Sequence, residues 1–194
     1  MIPRDLDGQT WRLSAFWPRQ DIDSEKDPSV FVAASTECWP GMELEEAIEV
    51  LIDLDFTAVE IAIHESGPIK PSEILKDPDR AVQMLRHTHR LDISGYSLEL
   101  ESTGEQHYED FEQFCRIAKT TKVVNITVPS GEHGTPFNEE VERLQKLVSI
   151  GESEGIRVSV RSQMGCLSDD PDTLMVLCNN VDGLGIALDP VSYT

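Results

Sequence analysis

The feature that most constrains the fold is a regular alternation of apolar, strand-like segments with amphipathic, helix-like segments. The strand-like segments recur about every thirty residues and begin near Val30, Ala58, Leu91, Val123, Ile156 and Leu184. That spacing matches a strand, a helix and two loops. Strands that alternate with helices predict a parallel sheet with right-handed crossovers.

The segments between the strands have the periodicity of helices. Apolar residues recur on one helical face in four stripes: Leu44, Ala47, Ile48, Leu51 and Ile52; Phe111, Phe114, Cys115 and Ala118; Val141, Leu144 and Val148; and Leu174, Leu177, Cys178 and Val181. Asp170-Pro171 predicts a helix start, because aspartate caps helices and proline is favoured at the first helical position. Gly155 and Gly183 predict turns that lead from a helix into a strand.

This alternation is compatible with an open doubly wound sheet or with a barrel. The segment after the first strand, residues 34–41, lacks the G-x-G-x-x-G phosphate loop that favours the open sheet. Polar residues instead gather at the strand ends, as a barrel mouth requires. We therefore predict an α/β fold, a partial (β/α)8 TIM-type barrel of about six parallel strands with flanking helices, over residues 31–194. Residues 1–30 are predicted to be an N-terminal extension.

Six strands do not close an eight-stranded barrel, so the first and last strands are each expected to have an unpaired edge. Three outcomes remain open. The chain is a fragment of a longer product, or it forms a homo-oligomer through its open sheet edges, or residues 1–30 fold over the gap.

Charge and cysteine content restrict the partners and the compartment. The chain has 36 acidic and 16 basic residues and a formal net charge of −20. Such a surface predicts no binding to nucleic acid or to anionic membranes. The four cysteines are widely spaced without a C-x-x-C pair, and the N-terminus has no apolar signal segment. We expect a cytoplasmic protein.

Polar residues near the strand ends form the candidate site. In chain order they are Thr36 and Glu37, Glu60 and His64, Glu99 and Glu101, Asn125 and Thr127, Arg161 and Gln163, and Asp189 and Ser192. Residues two apart on a strand share a face, so several of these pairs point together. Each side chain could be a wall residue that bonds to neighbouring strands or to water, whereas the set together indicates a ligand-binding mouth.

Two stretches of the chain resemble the xylose isomerase-like TIM barrel family. The first is residues 35–47 with Phe56-Thr57-Ala58-Val59-Glu60-Ile61, and the second is residues 155–165 with residues 183–190. The resemblance implies a sugar phosphate isomerase/epimerase that acts on a small sugar or sugar phosphate. It also implies a divalent metal cofactor (Mn, Mg or Zn), which polarises the sugar oxygens while carboxylates move a proton.

The residues that the resemblance assigns to the metal are mostly replaced. The family holds its cation with a fifth-strand glutamate, a sixth-strand aspartate, and a histidine and a glutamate from the last two strands. Here Arg161 replaces that glutamate, and Gln163 and Ser192 stand where the family has other histidines. Asp189 is present but is a weak metal candidate, because divalent sites need several protein ligands. An Arg161–Asp189 ion pair is predicted in the place of the metal.

Two functions remain open. The first is a sugar phosphate isomerase/epimerase-like protein with little or no activity in this chain. Its catalytic candidates are Asp189 and Glu60, and its substrate-binding candidates are Thr36, Glu37, His64, Glu99, Asn125, Arg161, Gln163 and Ser192. The second is a non-catalytic binding or assembly module. An abasic-site endonuclease, the family's other activity, is disfavoured because nucleic-acid binding requires basic grooves.

Overall fold

The computed structural model describes residues 33–39, 41–86 and 91–189. The predicted N-terminal extension, the predicted strand start at Val30 and the candidate residue Ser192 lie outside these residues.

Strands and helices alternate through the described part of the chain. The strands are β1 (Ala34–Ser35), β2 (Ala58–Ile63), β3 (Asp92–Leu98), β4 (Asn125–Pro129), β5 (Arg157–Arg161) and β6 (Gly185–Ala187). The helices are α1 (Leu44–Asp53), α2 (Pro71–Lys76), α3 (Pro78–Leu85), α4 (Glu105–Thr121), α5 (Phe137–Glu154) and α6 (Pro171–Asn180), with short 3-10 turns at Thr36–Cys38 and Leu167–Asp169. The strand starts predicted near Ala58, Leu91, Val123, Ile156 and Leu184 are confirmed to within two residues.

All six strands belong to one parallel sheet in the order β1-β2-β3-β4-β5-β6. In a flat sheet, β1 and β5 would lie about 19 Å apart, four strand spacings. Yet Arg161 at the end of β5 and Glu37 just after β1 form an ion pair with an N–O distance of 2.7 Å. The sheet is therefore strongly curled. The fold is a half-barrel flanked by helices, which confirms the predicted partial TIM-type barrel.

The two faces of the curled sheet differ in chemistry. The outward face packs on the helices with large apolar side chains, such as Ile61, Tyr96, Ile126 and Val158, all buried. At the alternating positions the inward face has small or polar residues: Ser35, Glu60, Ala62, Gly95, Ser97, Asn125, Thr127, Ser159, Arg161, Gly185 and Ala187. TIM barrels usually fill this interior with branched apolar side chains. The small residues here leave room for a ligand.

The apolar stripes on α1, α4, α5 and α6 supply the helical half of the core, as predicted. The predicted caps are also found. Asp170 Oδ2 accepts a hydrogen bond of 2.8 Å from Thr173 N at the start of α6, and Gly155 ends α5 with a φ of 75°. None of the helices in the described ranges is both long and apolar enough to cross a bilayer.

Candidate functional site

A cavity of about 510 Å³ lies on the inner side of the half-barrel and is lined by residues of β1, β2, β3, β5 and β6 and of the segments beside them. Four of the predicted site residues line it: Glu37, Glu60, Arg161 and Asp189. Ser35 and Cys38 are among its other lining residues. The curl of the sheet thus brings together side chains that are far apart in the chain.

Arg161 is the central polar group of this cavity. Its Nη1 donates hydrogen bonds to Glu37 Oε2 at 2.7 Å and to Ser97 Oγ at 3.0 Å, and its Nη2 donates to Gln163 Oε1 at 2.9 Å. The Arg161 side chain is 15% exposed and that of Glu37 is 47% exposed. The guanidinium therefore crosses the inside of the half-barrel and is held by residues of β3 and of the segments just after β1 and β5.

Arg161 has an acidic partner other than the predicted Asp189. It forms an ion pair with Glu37, whereas the ion pair with Asp189 stays a prediction. The backbone of Asp189 is held by Ser162: Asp189 N donates to Ser162 Oγ at 2.8 Å, and Ser162 Oγ donates to Asp189 O at 3.2 Å. The prediction considered only the neighbouring strand, whereas the curl places the end of β1 opposite β5.

Glu60 lies on the inward face of β2, and its pKa is raised. Burial is the main cause, because it disfavours the charged carboxylate. The negative charges of Glu37 and Asp189 raise this pKa further, whereas the charge of Arg161 and a hydrogen bond from Ser35 lower it. Glu60 therefore takes up a proton at higher pH than an ordinary glutamate, which suits a group that transfers protons.

Three other predicted residues at the ends of β1, β2 and β3 do not line the cavity. Thr36 is buried, and its Oγ1 accepts a hydrogen bond of 2.9 Å from Ala62 N, which ties the turn after β1 to β2. His64 Nδ1 lies 2.9 Å from Ser66 Oγ in the loop after β2. Glu99 follows β3 and is exposed.

Asn125 also lies outside the lining of this cavity. It is the first residue of β4, not one near its end, so it lies toward the opposite end of the half-barrel from Arg161. Its Oδ1 accepts a hydrogen bond of 2.9 Å from Ser159 Oγ, and its Nδ2 donates to Thr127 Oγ1 at 3.2 Å. Asn125 thus links neighbouring strands on the inward face.

Sequence analysis missed two serines of the site. Ser97 is buried on β3 and accepts a hydrogen bond from Arg161, and Ser35 on β1 lines the cavity beside Glu37, whose N–H donates to Ser35 Oγ at 3.3 Å. The alternation of the strand could have indicated Ser97, because Ser97 lies between apolar Tyr96 and Leu98 and shares the face of Glu99. Serine is common in strands and loops, so this signal alone did not single it out.

The described residues do not fit a divalent metal. They contain no group of three or more His, Cys, Asp and Glu side chains that could hold a metal ion. Arg161, which the sequence resemblance assigns to a metal-ligand position on the fifth strand, donates hydrogen bonds and has no lone pair for a cation. The cation among the carboxylates of this cavity is the guanidinium.

Comparison with known proteins gives a likeness in structure alone. No protein-family model matches the chain, and no curated protein matches it. Among solved structures, it is similar to a probable 3-DHS dehydratase from Bacillus anthracis, with a TM-score of 0.63 and 16% identity over 83% of this chain and 64% of that one. It is similar to D-allulose 3-epimerase from Methylomonas sp., with a TM-score of 0.61 and 13% identity over 82% of this chain and 63% of that one.

A third similar structure is a xylose isomerase-like TIM barrel protein from Mycobacterium smegmatis in complex with magnesium. Its TM-score is 0.59 at 14% identity, over 84% of this chain and 64% of that one. The described part of the chain is therefore a partial (β/α) barrel. More particularly, it has the fold of the xylose isomerase-like TIM barrel proteins, as predicted. It spans slightly less than two thirds of the length of these structures.

Proposed function

We propose that this chain is a sugar isomerase/epimerase-like barrel protein that binds a small sugar or sugar phosphate and has little or no metal-dependent activity. The observation that carries the proposal is the 2.7 Å ion pair between Arg161 Nη1 and Glu37 Oε2 inside the half-barrel. It puts a fixed positive charge among the carboxylates that a metal would need.

The cavity supports the ligand class. Its volume of about 510 Å³ is in the range of small-molecule sites. Its lining includes carboxylates, a guanidinium and serine hydroxyls, which together donate and accept hydrogen bonds as the hydroxyl groups of a sugar do.

The same arrangement argues against a metal-dependent reaction in this chain. A similar structure is a complex with magnesium. Here a divalent cation at the cavity would be repelled by Arg161 and would have to compete with it for Glu37. We derive no catalytic step through a metal.

A non-catalytic assembly module is the second candidate. Two apolar side chains at the last strand of the described sheet are exposed, Ile186 at 42% and Leu188 at 65%. An outer strand with exposed apolar side chains is a surface on which a second copy could pair. Sedimentation velocity on wild type and Ile186→Lys tests it: loss of a dimer in the variant supports assembly, and a wild-type monomer at high concentration contradicts it.

The metal part of the proposal is tested by isothermal titration of Mn²⁺, Mg²⁺ and Zn²⁺ into metal-stripped protein. We expect only the weak binding that an acidic surface gives, unchanged in Asp189→Ala. Micromolar binding that this substitution removes would contradict the proposal.

The ligand part is tested by protection of Cys38 from alkylation. Cys38 is exposed and lines the cavity, whereas Cys178, half-buried on α6, does not line it. A bound sugar should slow the reaction of Cys38 with maleimide and leave that of Cys178 unchanged. Equal rates for Cys38 with and without every sugar and sugar phosphate in a panel would contradict ligand binding at this cavity.

A further inference from the structure

A second cavity, of about 110 Å³, lies between the sheet and the helices. Leu98 of β3 and Val128 of β4 line it, and they share the outward face with Tyr96 and Ile126, two residues before them. Phe111 of α4 lines it from the helical side. The sheet therefore separates it from the cavity inside the half-barrel, and the two share no lining residue among those described. We call this second cavity the outer cavity.

His107 of α4 brings a hydrogen-bond acceptor to the outer cavity. Its Nδ1 lies 3.0 Å from Ser102 O, and because a carbonyl oxygen only accepts, Nδ1 carries the proton. Burial is the main cause that lowers the pKa of His107, and the positive charge of Arg143 lowers it further, so the ring is neutral at pH 7. In a neutral ring with its proton on Nδ1, Nε2 is an acceptor.

This Nε2 atom needs a donor that the described part of the chain does not supply. Nε2 of His107 is buried and has no hydrogen-bond partner among the described residues. Buried polar atoms in proteins are rarely left in this state, because they have given up their hydrogen bonds to water without replacement. Since His107 lines the outer cavity, a molecule in that cavity can provide the missing O–H or N–H group.

Arg143 of α5 supplies donors to the same cavity. Its Nε donates to Glu140 Oε2 at 2.9 Å, and its Nη2 donates to Glu140 Oε1 and Pro129 O, each at 2.8 Å. Within the described ranges, the two N–H groups of Nη1 have no partner. Glu140 is buried and balances the charge of Arg143. An anion would compete with Glu140 and a cation would be repelled by Arg143, so the arrangement favours an uncharged ligand.

A hydroxyl group meets both requirements with one oxygen. Its O–H donates to His107 Nε2, and its oxygen accepts from Arg143 Nη1. The rest of the ligand would contact the apolar side chains of Leu98, Phe111 and Val128. These walls disfavour a sugar, whose further hydroxyl groups would lose their hydrogen bonds to water. An apolar cavity of about 150 Å³ binds benzene, so the outer cavity has room for about four or five non-hydrogen atoms.

We propose that the outer cavity is a binding site for a small uncharged alcohol, which donates to His107 Nε2, accepts from Arg143 Nη1 and places its carbon chain against the apolar walls. This inference goes beyond the proposed function, because it concerns the opposite face of the sheet and a different class of ligand.

The experiment compares 1-butanol with its isomer diethyl ether, which has the same atoms but no O–H to donate. Each is titrated into protein with ¹³C-labelled methyl groups, and the Leu98 and Val128 signals are followed by NMR. We expect both signals to shift and to saturate, with an affinity for 1-butanol about 10-fold or more above that for the ether. His107→Phe removes the acceptor and should make the two affinities equal. His133→Phe, at an exposed position outside the cavity lining, is the matched control and should keep the preference for 1-butanol.

Equal affinities for the two isomers in the wild type would overturn the inference, because no donor would then be used at Nε2. If neither isomer shifts the Leu98 and Val128 signals, the cavity holds water alone and the inference is equally wrong. A preference for 1-butanol that persists in folded His107→Phe would overturn the role of Nε2. The two wild-type outcomes decide the question even if His107→Phe fails to fold, and none of these results bears on the proposed function.

Discussion

The ion pair between Glu37 and Arg161 allows a direct test of the curled sheet, because the two residues are 124 positions apart in the chain. The perturbation is a double-mutant cycle with Glu37→Gln, Arg161→Met and the combined variant. If β1 and β5 lay in a flat sheet about 19 Å apart, the two substitutions would act independently. In the curled sheet they remove the same contact, so their effects on the free energy of unfolding are not additive.

The magnitude follows from exposure and hydrogen bonding. Two unit charges 4 Å apart attract by about 1 kcal/mol in water and about 4 kcal/mol near a protein surface. The Glu37 side chain is 47% exposed, so solvent screening keeps the coupling near the lower value, about 1 kcal/mol. Arg161→Met also loses the hydrogen bonds to Ser97 and Gln163, each worth about 1 kcal/mol. We expect a total cost of about 2–3 kcal/mol for Arg161→Met and about 1 kcal/mol or less for Glu37→Gln.

The assay is urea unfolding of the wild type and the three variants, at low salt and at 1 M NaCl. The coupling should shrink at high salt, because the Debye length falls to about 3 Å. Glu37→Gln combined with Arg116→Met is the control: Arg116 pairs with Glu112 and Glu154, so this cycle should be additive. A Glu37–Arg161 coupling below about 0.3 kcal/mol would be indistinguishable from additivity and would refute the half-barrel geometry of the site.

Two further predictions concern stability. Gly151→Ala in α5 should destabilise the protein by about 1 kcal/mol or more although alanine favours helices, because its Cβ would lie 2.7 Å from Val158 Cγ2 and 2.8 Å from Ile156 O. The control is Ser153→Ala on the exposed side of that helix, which should change stability by less than about 0.5 kcal/mol. Equal urea midpoints for Gly151→Ala and Ser153→Ala would contradict the close packing of Gly151 against β5. Burial is the main cause that lowers the pKa of His107, so the unfolded chain binds a proton more readily than the folded one. The free energy of unfolding should therefore fall as the pH drops below about 6.5. In His107→Asn, urea unfolding measured across this pH range should show a weaker dependence of stability on pH. The same pH dependence in the variant and the wild type would contradict the role of His107.

The sequence by itself determined the elements of the fold. Helix stripes such as Phe111, Phe114, Cys115 and Ala118 and the Asp170 cap follow from contacts within a few residues of chain. Helices α2 and α3 were not predicted individually. Each is short and begins with a proline, Pro71 and Pro78, so neither has room for a long apolar stripe. Alternation of strands and helices was enough to predict the parallel sheet, because a crossover helix leaves few other ways to join parallel strands.

The partner of Arg161 was decided by the tertiary structure. From the sequence, Asp189, just after the next strand, was the predicted ion-pair partner. The curl of the sheet places Glu37, just after β1, and Ser97, on β3, against the guanidinium at 2.7 and 3.0 Å. Curl and register depend on how strands and helices far apart in the chain pack on one another, and periodicity within one segment does not record this. For that reason four residues that line the cavity, Glu37, Glu60, Arg161 and Asp189, could be named from the sequence, whereas Ser35, Ser97 and the contacts among the residues came only from the fold.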